Sequence, residues 1–153
     1  MNISLCNFLL SNSDDRILEN IISSQKYFEE NNEKKELAKA LNLLGNVYEN
    51  FGDFAKGMKC CNDALKFSKE INNREIEGDT LSNLGNIFSR ISDYEQALDS
   101  YRKSLKIREE LNDFKAAASS LNLIARTFSM QGNFDSALEF YSKSLKIREE
   151  KND

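Results

Sequence analysis

The sequence predicts an all-α protein, a right-handed α-solenoid of stacked antiparallel helix pairs. Three observations predict it. Leu44-Gly45-Asn46 returns forty residues on as Leu84-Gly85-Asn86, and again, altered, as Ile124-Ala125-Arg126. The same offset carries Lys103-Ser104-Leu105-Lys106-Ile107-Arg108-Glu109-Glu110 onto residues 143–150 without a change. The 153 residues contain no proline and only 6 glycines, so little interrupts long helices. A fixed period of this size marks supersecondary units that bury their apolar faces only by stacking on one another.

Residues 1–34 are expected to form a worn capping helix pair. Met1 to Asn12 reads as a short helix and Asp14 to about Asn31 as its partner, with Ser13-Asp14 as the cap. Ile17, Leu18, Ile21 and Ile22 give the partner an apolar face, and Phe8 aligns with Tyr48, Phe88 and Phe128. Leu5 stands where the later copies have glycine, as suits a terminal repeat. Three fuller units follow, at residues 37–73, 77–113 and 117–153. In the second, Leu81, Leu84, Gly85 and Phe88 fall at i, i+3, i+4 and i+7, one stripe of a helix. Ser92-Asp93 interrupts the pattern, and Asp93 is placed to cap the next helix. That helix carries Ala97, Leu98, Tyr101, Ser104 and Leu105 on one face, and Leu111-Asn112-Asp113 closes the unit. Gly85 and Ala97 sit where two helices must approach closely.

Composition excludes several function classes. The net charge is −4 and no basic stripe exists, which argues against nucleic acid as a partner. Histidine is absent, and with it the commonest general base and metal ligand. No phosphate loop, metal cluster or activated nucleophile is present, so the reading is of a non-enzyme with no catalytic residues, no metal and no cofactor. Met1 to Leu10 is too short to span a bilayer and lacks a basic start, so no membrane association and a cytoplasmic location are expected. Cys6, Cys60 and Cys61 have no zinc-type spacing and suit a reducing compartment, where free cysteine packs as a small hydrophobe.

The spacing Leu-x2-Leu-Gly-x2-aromatic followed by Ala-x3-aromatic resembles the tetratricopeptide signature. Leu41, Leu44, Gly45 and Tyr48 match it, as do Leu81, Leu84, Gly85, Phe88, Ala97 and Tyr101, and Leu121, Ile124, Ala125, Phe128, Ala137 and Tyr141. Gly57 and Cys61 depart from it, and the usual closing proline is replaced by Lys69, Glu109 and Glu149. The unit is about six residues longer than the 34-residue form, and the second helix is expected to run about one turn further. This proline-free, forty-residue version with Leu-Gly-Asn looks like the spindle adaptors named for that tripeptide (the Pins family). It is similar also to kinesin light chains and to bacterial regulatory proteins with tandem repeats.

In a curved stack the first helix of each pair lines the concave side. Leu41, Leu44 and Tyr48 point to the core, so Lys39, Asn42, Asn46, Glu49 and Asn50 should face the groove, with Asp79, Ser82, Asn86, Ser89 and Arg90 from the second unit. The third adds Ser119, Asn122, Arg126, Ser129 and Met130. The groove is expected to be rich in asparagine and serine and poor in large apolar groups. An amide pairs with both the N–H and the C=O of an extended peptide, and the resemblance implies such a use for asparagines at these places. Asn42, Asn46, Asn86, Arg90, Asn122 and Arg126 are therefore the candidate peptide-binding residues, and a partner protein the expected ligand. Arg90 and Arg126 favour acidic ligand side chains near the third unit. The competing reading is that these are solvated polar residues without a role. A clamp of the chaperone-binding type is excluded. Asn46 and Asn83 occupy its asparagine places, but Asn42, Ser119 and Leu123 stand where it needs basic residues.

The repeated octapeptide reads as a charged, solvated face on the convex side. The alternative function is self-assembly, or a scaffold or sensor part of a larger regulator. No polar closing helix follows the last unit, so Leu138, Phe140 and Ile147 are expected to leave an apolar end suited to a homo-oligomer.

Overall fold

The computed structural model describes the backbone of residues 3–151 and the side chains of residues 16–151. Seven helices follow in order: α1 (Ile3–Glu30), α2 (Lys34–Asn50), α3 (Phe54–Glu70), α4 (Arg74–Arg90), α5 (Tyr94–Glu110), α6 (Phe114–Met130) and α7 (Phe134–Lys151). No strand occurs among the described residues. The chain is an α-solenoid in which α2–α3, α4–α5 and α6–α7 form the antiparallel pairs.

The turns are built by local chemistry. Each of α1 to α6 is followed by three residues, of which the second adopts a left-handed conformation: Gly52 (φ 78), Ser92 (φ 63) and Gly132 (φ 77) inside the pairs, Asn32, Asn72 and Asn112 (φ 56, 53 and 56) between them. Glycine and asparagine tolerate that region best. The reversal lets Gly52 N–H bond Glu49 O at 3.0 Å and Asp53 N–H bond Tyr48 O at 2.9 Å, which satisfies carbonyls that the helix end would leave bare. The third turn residue caps the next helix at α3 to α7, whereas Glu33 before α2 makes no side-chain cap. Asp53, Asn73, Asp93, Asp113 and Asn133 accept from the backbone N–H of Lys56, Ile76, Gln96, Ala116 and Ser136 at 3.0–3.2 Å.

The start of the chain differs from expectation. A helix pair was expected over residues 1–34, but α1 runs unbroken from Ile3 to Glu30. No glycine or proline stands near Ser13-Asp14 to reverse the chain, and those two residues fall inside the helix. The Leu5, Cys6 and Phe8 side chains lie outside the described residues. The extra length per unit is not confined to the second helix either, since α4 and α5 both have 17 residues.

The second helices α3 and α5 are each buried between the first helix of their own unit and that of the next. Cys61 of α3 packs with Leu84 and Ile87 of α4, joined by Phe54, Met58, Leu65 and Phe88. Leu98 and Tyr101 of α5 pack with Ile124 of α6, joined by Leu105, Leu123 and Phe128. The first helices thereby share one side of the stack, and α2 also touches α4 directly.

The octapeptide is not simply a solvated face. In its first copy Ser104 and Ile107 are buried, and Ser104 Oγ donates to Gly78 O at 2.7 Å. The Arg108 side chain is only 12% exposed. Its guanidinium donates to Ala116 O at 3.0 Å, to Asp79 at 2.9 Å and to the Ser82 hydroxyl at 3.3 Å. This arginine ties α5 to α4 and to α6. Lys103, Lys106, Glu109 and Glu110 do face solvent, so the expectation holds for the charges at those positions and fails for the residues between them.

Candidate functional site

Two open hollows lie along the side formed by the first helices. The first, of about 590 Å³, is lined by Lys35, Lys39, Asn42, Leu43 and Asn46 from α2, by Glu75, Ile76, Asp79 and Asn83 from α4, and by the turn residue Asn73. The second, of about 540 Å³, is lined by Glu49, Asn86, Ser89, Arg90, Ser92, Leu123, Arg126 and Met130. Helical periodicity explains the membership. Asn42, Asn46 and Glu49 follow one another at i, i+4 and i+7 along α2, beside the core stripe of Leu41 and Leu44.

Of the expected groove residues, Asn42 and Asn46 line the first hollow, and Asn86, Arg90 and Arg126 the second. Asn122 is half-buried and lines neither. Ser82 does not face the groove: it is buried, and its hydroxyl shares a hydrogen bond of 2.9 Å with that of Ser104. Nor is the groove poor in large apolar groups, because Leu43 and Met130 are each 50% exposed and Leu123 lines the second hollow. Leu43 was not expected at the groove, and Asn83 and Leu123 were expected only as places of the excluded chaperone-type clamp. A signal existed, since they recur at the forty-residue offset and the core stripes do not require them.

The amides are pre-set by neighbours. Asn83 donates to the Asn42 side-chain oxygen at 2.9 Å, linking α4 to α2, and Asn50 donates to that of Asn46 at 3.1 Å. The Tyr101 hydroxyl donates to Asn86 at 2.8 Å. An amide has two donor hydrogens and an acceptor oxygen with two lone pairs, so each pairing fixes its orientation and leaves bonding capacity over. The two arginines are not equivalent. Arg90 lies 3.7 Å from Glu49 and over the Phe54 ring, whereas Arg126 is exposed beside the Tyr101 hydroxyl.

Burial pushes the Tyr101 phenol up to about 12 from 10.0, with Arg126 opposing the shift. A raised phenol favours the fold while it is neutral. Its contribution is complete below pH 10 and is lost as pH rises from about 10 to about 12. Thermal unfolding followed from pH 7 to 11 should show stability falling as the pH passes 10, by about 1 kcal/mol at pH 11 from this residue. Tyr101→Phe should flatten that slope while costing about 1 kcal/mol at pH 7 for the lost bond to Asn86.

The apolar end of the stack also differs from expectation. Leu138 is 65% exposed, but Phe140 is half-buried and stacks on Phe128 at 5.5 Å. Ile147 is half-buried too. The exposed large apolar residues on α7 are Phe134, Leu138, Tyr141 and Leu145. Among the described residues no group of three or more histidine, cysteine, aspartate or glutamate side chains is placed to hold a metal ion. No helix among them is long and apolar enough to cross a membrane.

Two family models, both described as tetratricopeptide repeat, match residues 36–110 and 117–152. No curated protein matches in sequence. Among solved structures, the chain is similar to BtubC from P. vanneervenii, with 18% identity and a TM-score of 0.83 over 92% of this chain and 59% of that one. It is similar also to the TPR domain of Arabidopsis FLU, at 18% identity and a TM-score of 0.70, over 76% of this chain and 98% of that domain. Aspartyl phosphate phosphatase F from Bacillus subtilis shares 17% identity and a TM-score of 0.85, over 94% of this chain and 38% of its own. At these identities the likeness is one of fold, and the chain spans less than two thirds of the first and third of these proteins.

Proposed function

The chain belongs to the tetratricopeptide repeat family, and on that premise we propose that it is a non-enzymatic interaction module holding an extended segment of a partner protein. The observation that carries the proposal is the run of oriented amides on one face, flanked by Leu43 at one end and by Leu123, Met130 and Arg126 at the other. Amides of this kind suit a ligand held by its backbone. Exposed Leu43 and Met130 suit apolar side chains at two positions of that ligand, and Arg126 suits an acidic one.

Asn46→Ala combined with Arg126→Ala tests this. Asn86 is spared because it holds the Tyr101 hydroxyl. Proteins captured from the source cell by the unaltered chain should be lost at least tenfold by the double variant, with helical content unchanged. Capture should weaken between 0.05 and 0.5 M salt, since an exposed arginine–carboxylate contact is screened over this range. Undiminished capture by the double variant would sink the proposal.

A further inference from the structure

The two identical octapeptides occupy the same place on α5 and α7, yet only the first is closed over. On α3, Phe54, Met58, Cys61 and Leu65 pack against Leu84, Ile87 and Phe88 of α4. On α5, Leu98, Tyr101 and Leu105 pack against Leu123, Ile124 and Phe128 of α6, leaving Leu98 7% and Tyr101 0% exposed. Phe134, Leu138, Tyr141 and Leu145 form the matching stripe on α7, and they are 64%, 65%, 41% and 57% exposed. Ser144 keeps the bond its counterpart makes, donating to Ala118 O at 2.8 Å, so α7 sits on α6 as α5 sits on α4. Arg148 does not keep its counterpart's bonds. α6 presents Ser119 and Asn122 where α4 presents Asp79 and Ser82 to Arg108. Arg148 is exposed and makes no hydrogen bond or ion pair with a described residue.

We propose that the exposed face of α7 is a second docking surface, separate from the groove, which takes an amphipathic helix of a partner protein in the register α6 adopts on α5. The interface already formed twice within this chain specifies the occupant. It carries Leu, Ile or Phe at the places of Ile124 and Phe128, to lie over Leu138, Tyr141 and Leu145. It offers a first-turn backbone carbonyl to Arg148, as Ala116 O does to Arg108, and an acidic side chain at its start completes the charge. A second copy of this chain fits less well, because its own α2, α4 and α6 are already covered by α1, α3 and α5.

The probe is a peptide of residues 112–133, the α6 sequence, held helical by a staple through positions 122 and 126. Fluorescence anisotropy should show saturable binding to the intact chain. Leu138→Asp should weaken it at least tenfold and Arg148→Ala about threefold. Both side chains are exposed, so circular dichroism should show both variants folded. Binding that is absent, or unchanged by Leu138→Asp, overturns the proposal. A dimer that Leu138→Asp dissolves also overturns it, in favour of a second copy as the occupant. The groove variants leave this surface intact, so either proposal can fail without the other.

Discussion

Gly85→Ala should lower the unfolding free energy by about 2 kcal/mol, although alanine is the better helix former by about 1 kcal/mol. An added Cβ would stand 2.5 Å from Tyr101 Cε1, 2.6 Å from Cδ1 and 2.9 Å from Cζ. The ring is fully buried beneath Ile124 and held at its hydroxyl by Asn86. It has nowhere to retreat without parting α4 from α5. Urea denaturation measures the loss, and a double-mutant cycle assigns it. In a Tyr101→Ala background the penalty should vanish and the helix propensity gain should show. A loss that persists there would mean that the glycine serves something other than this ring. The third unit has Ala125 at the glycine place, and its aromatic, Tyr141, is 41% exposed rather than buried.

Arg108→Met should cost about 2 kcal/mol, whereas Arg148→Met in the identical octapeptide should change stability by less than about 0.5 kcal/mol. Methionine keeps much of the stem's volume and deletes the guanidinium. At position 108 this removes the bond to Ala116 O that joins the second unit to the third, and breaks the contacts to Asp79 and Ser82 within the second unit. Arg108 Nε is buried with no partner, which keeps the expected loss moderate. A stack of units is coupled only through neighbouring interfaces. The loss should therefore appear first as faster hydrogen exchange in α6 and α7, ahead of α2 and α3. Equal effects at the two positions would contradict the roles assigned to them.

The site was partly legible in advance. Asn42, Asn46, Asn86, Arg90 and Arg126 follow from helical phase, because the core stripe fixes which flank of α2, α4 and α6 faces outward. The pairing of Asn42 with Asn83, and of Asn86 with Tyr101, does not follow from phase. It depends on the distance and rotation between helices, which are set by what packs beneath them. Leu43 shows the same limit: on a helix read alone it is one more leucine beside the core, and only the placement of α1 and α4 leaves it half-exposed at the rim of the hollow.

What the sequence by itself determined is therefore periodic and local. The turn residues and capping side chains answer to neighbours within one turn, and the buried stripes and close-approach glycines recur with the helical and forty-residue periods that the chain itself carries. The tertiary structure alone decided the fate of Lys-Ser-Leu-Lys-Ile-Arg-Glu-Glu. Its two copies are identical in every residue, yet Arg108 is clamped between helices while Arg148 stands in solvent. Burial and pairing depend on which helix lies opposite and what side chains it brings, and here the helices opposite are not the same.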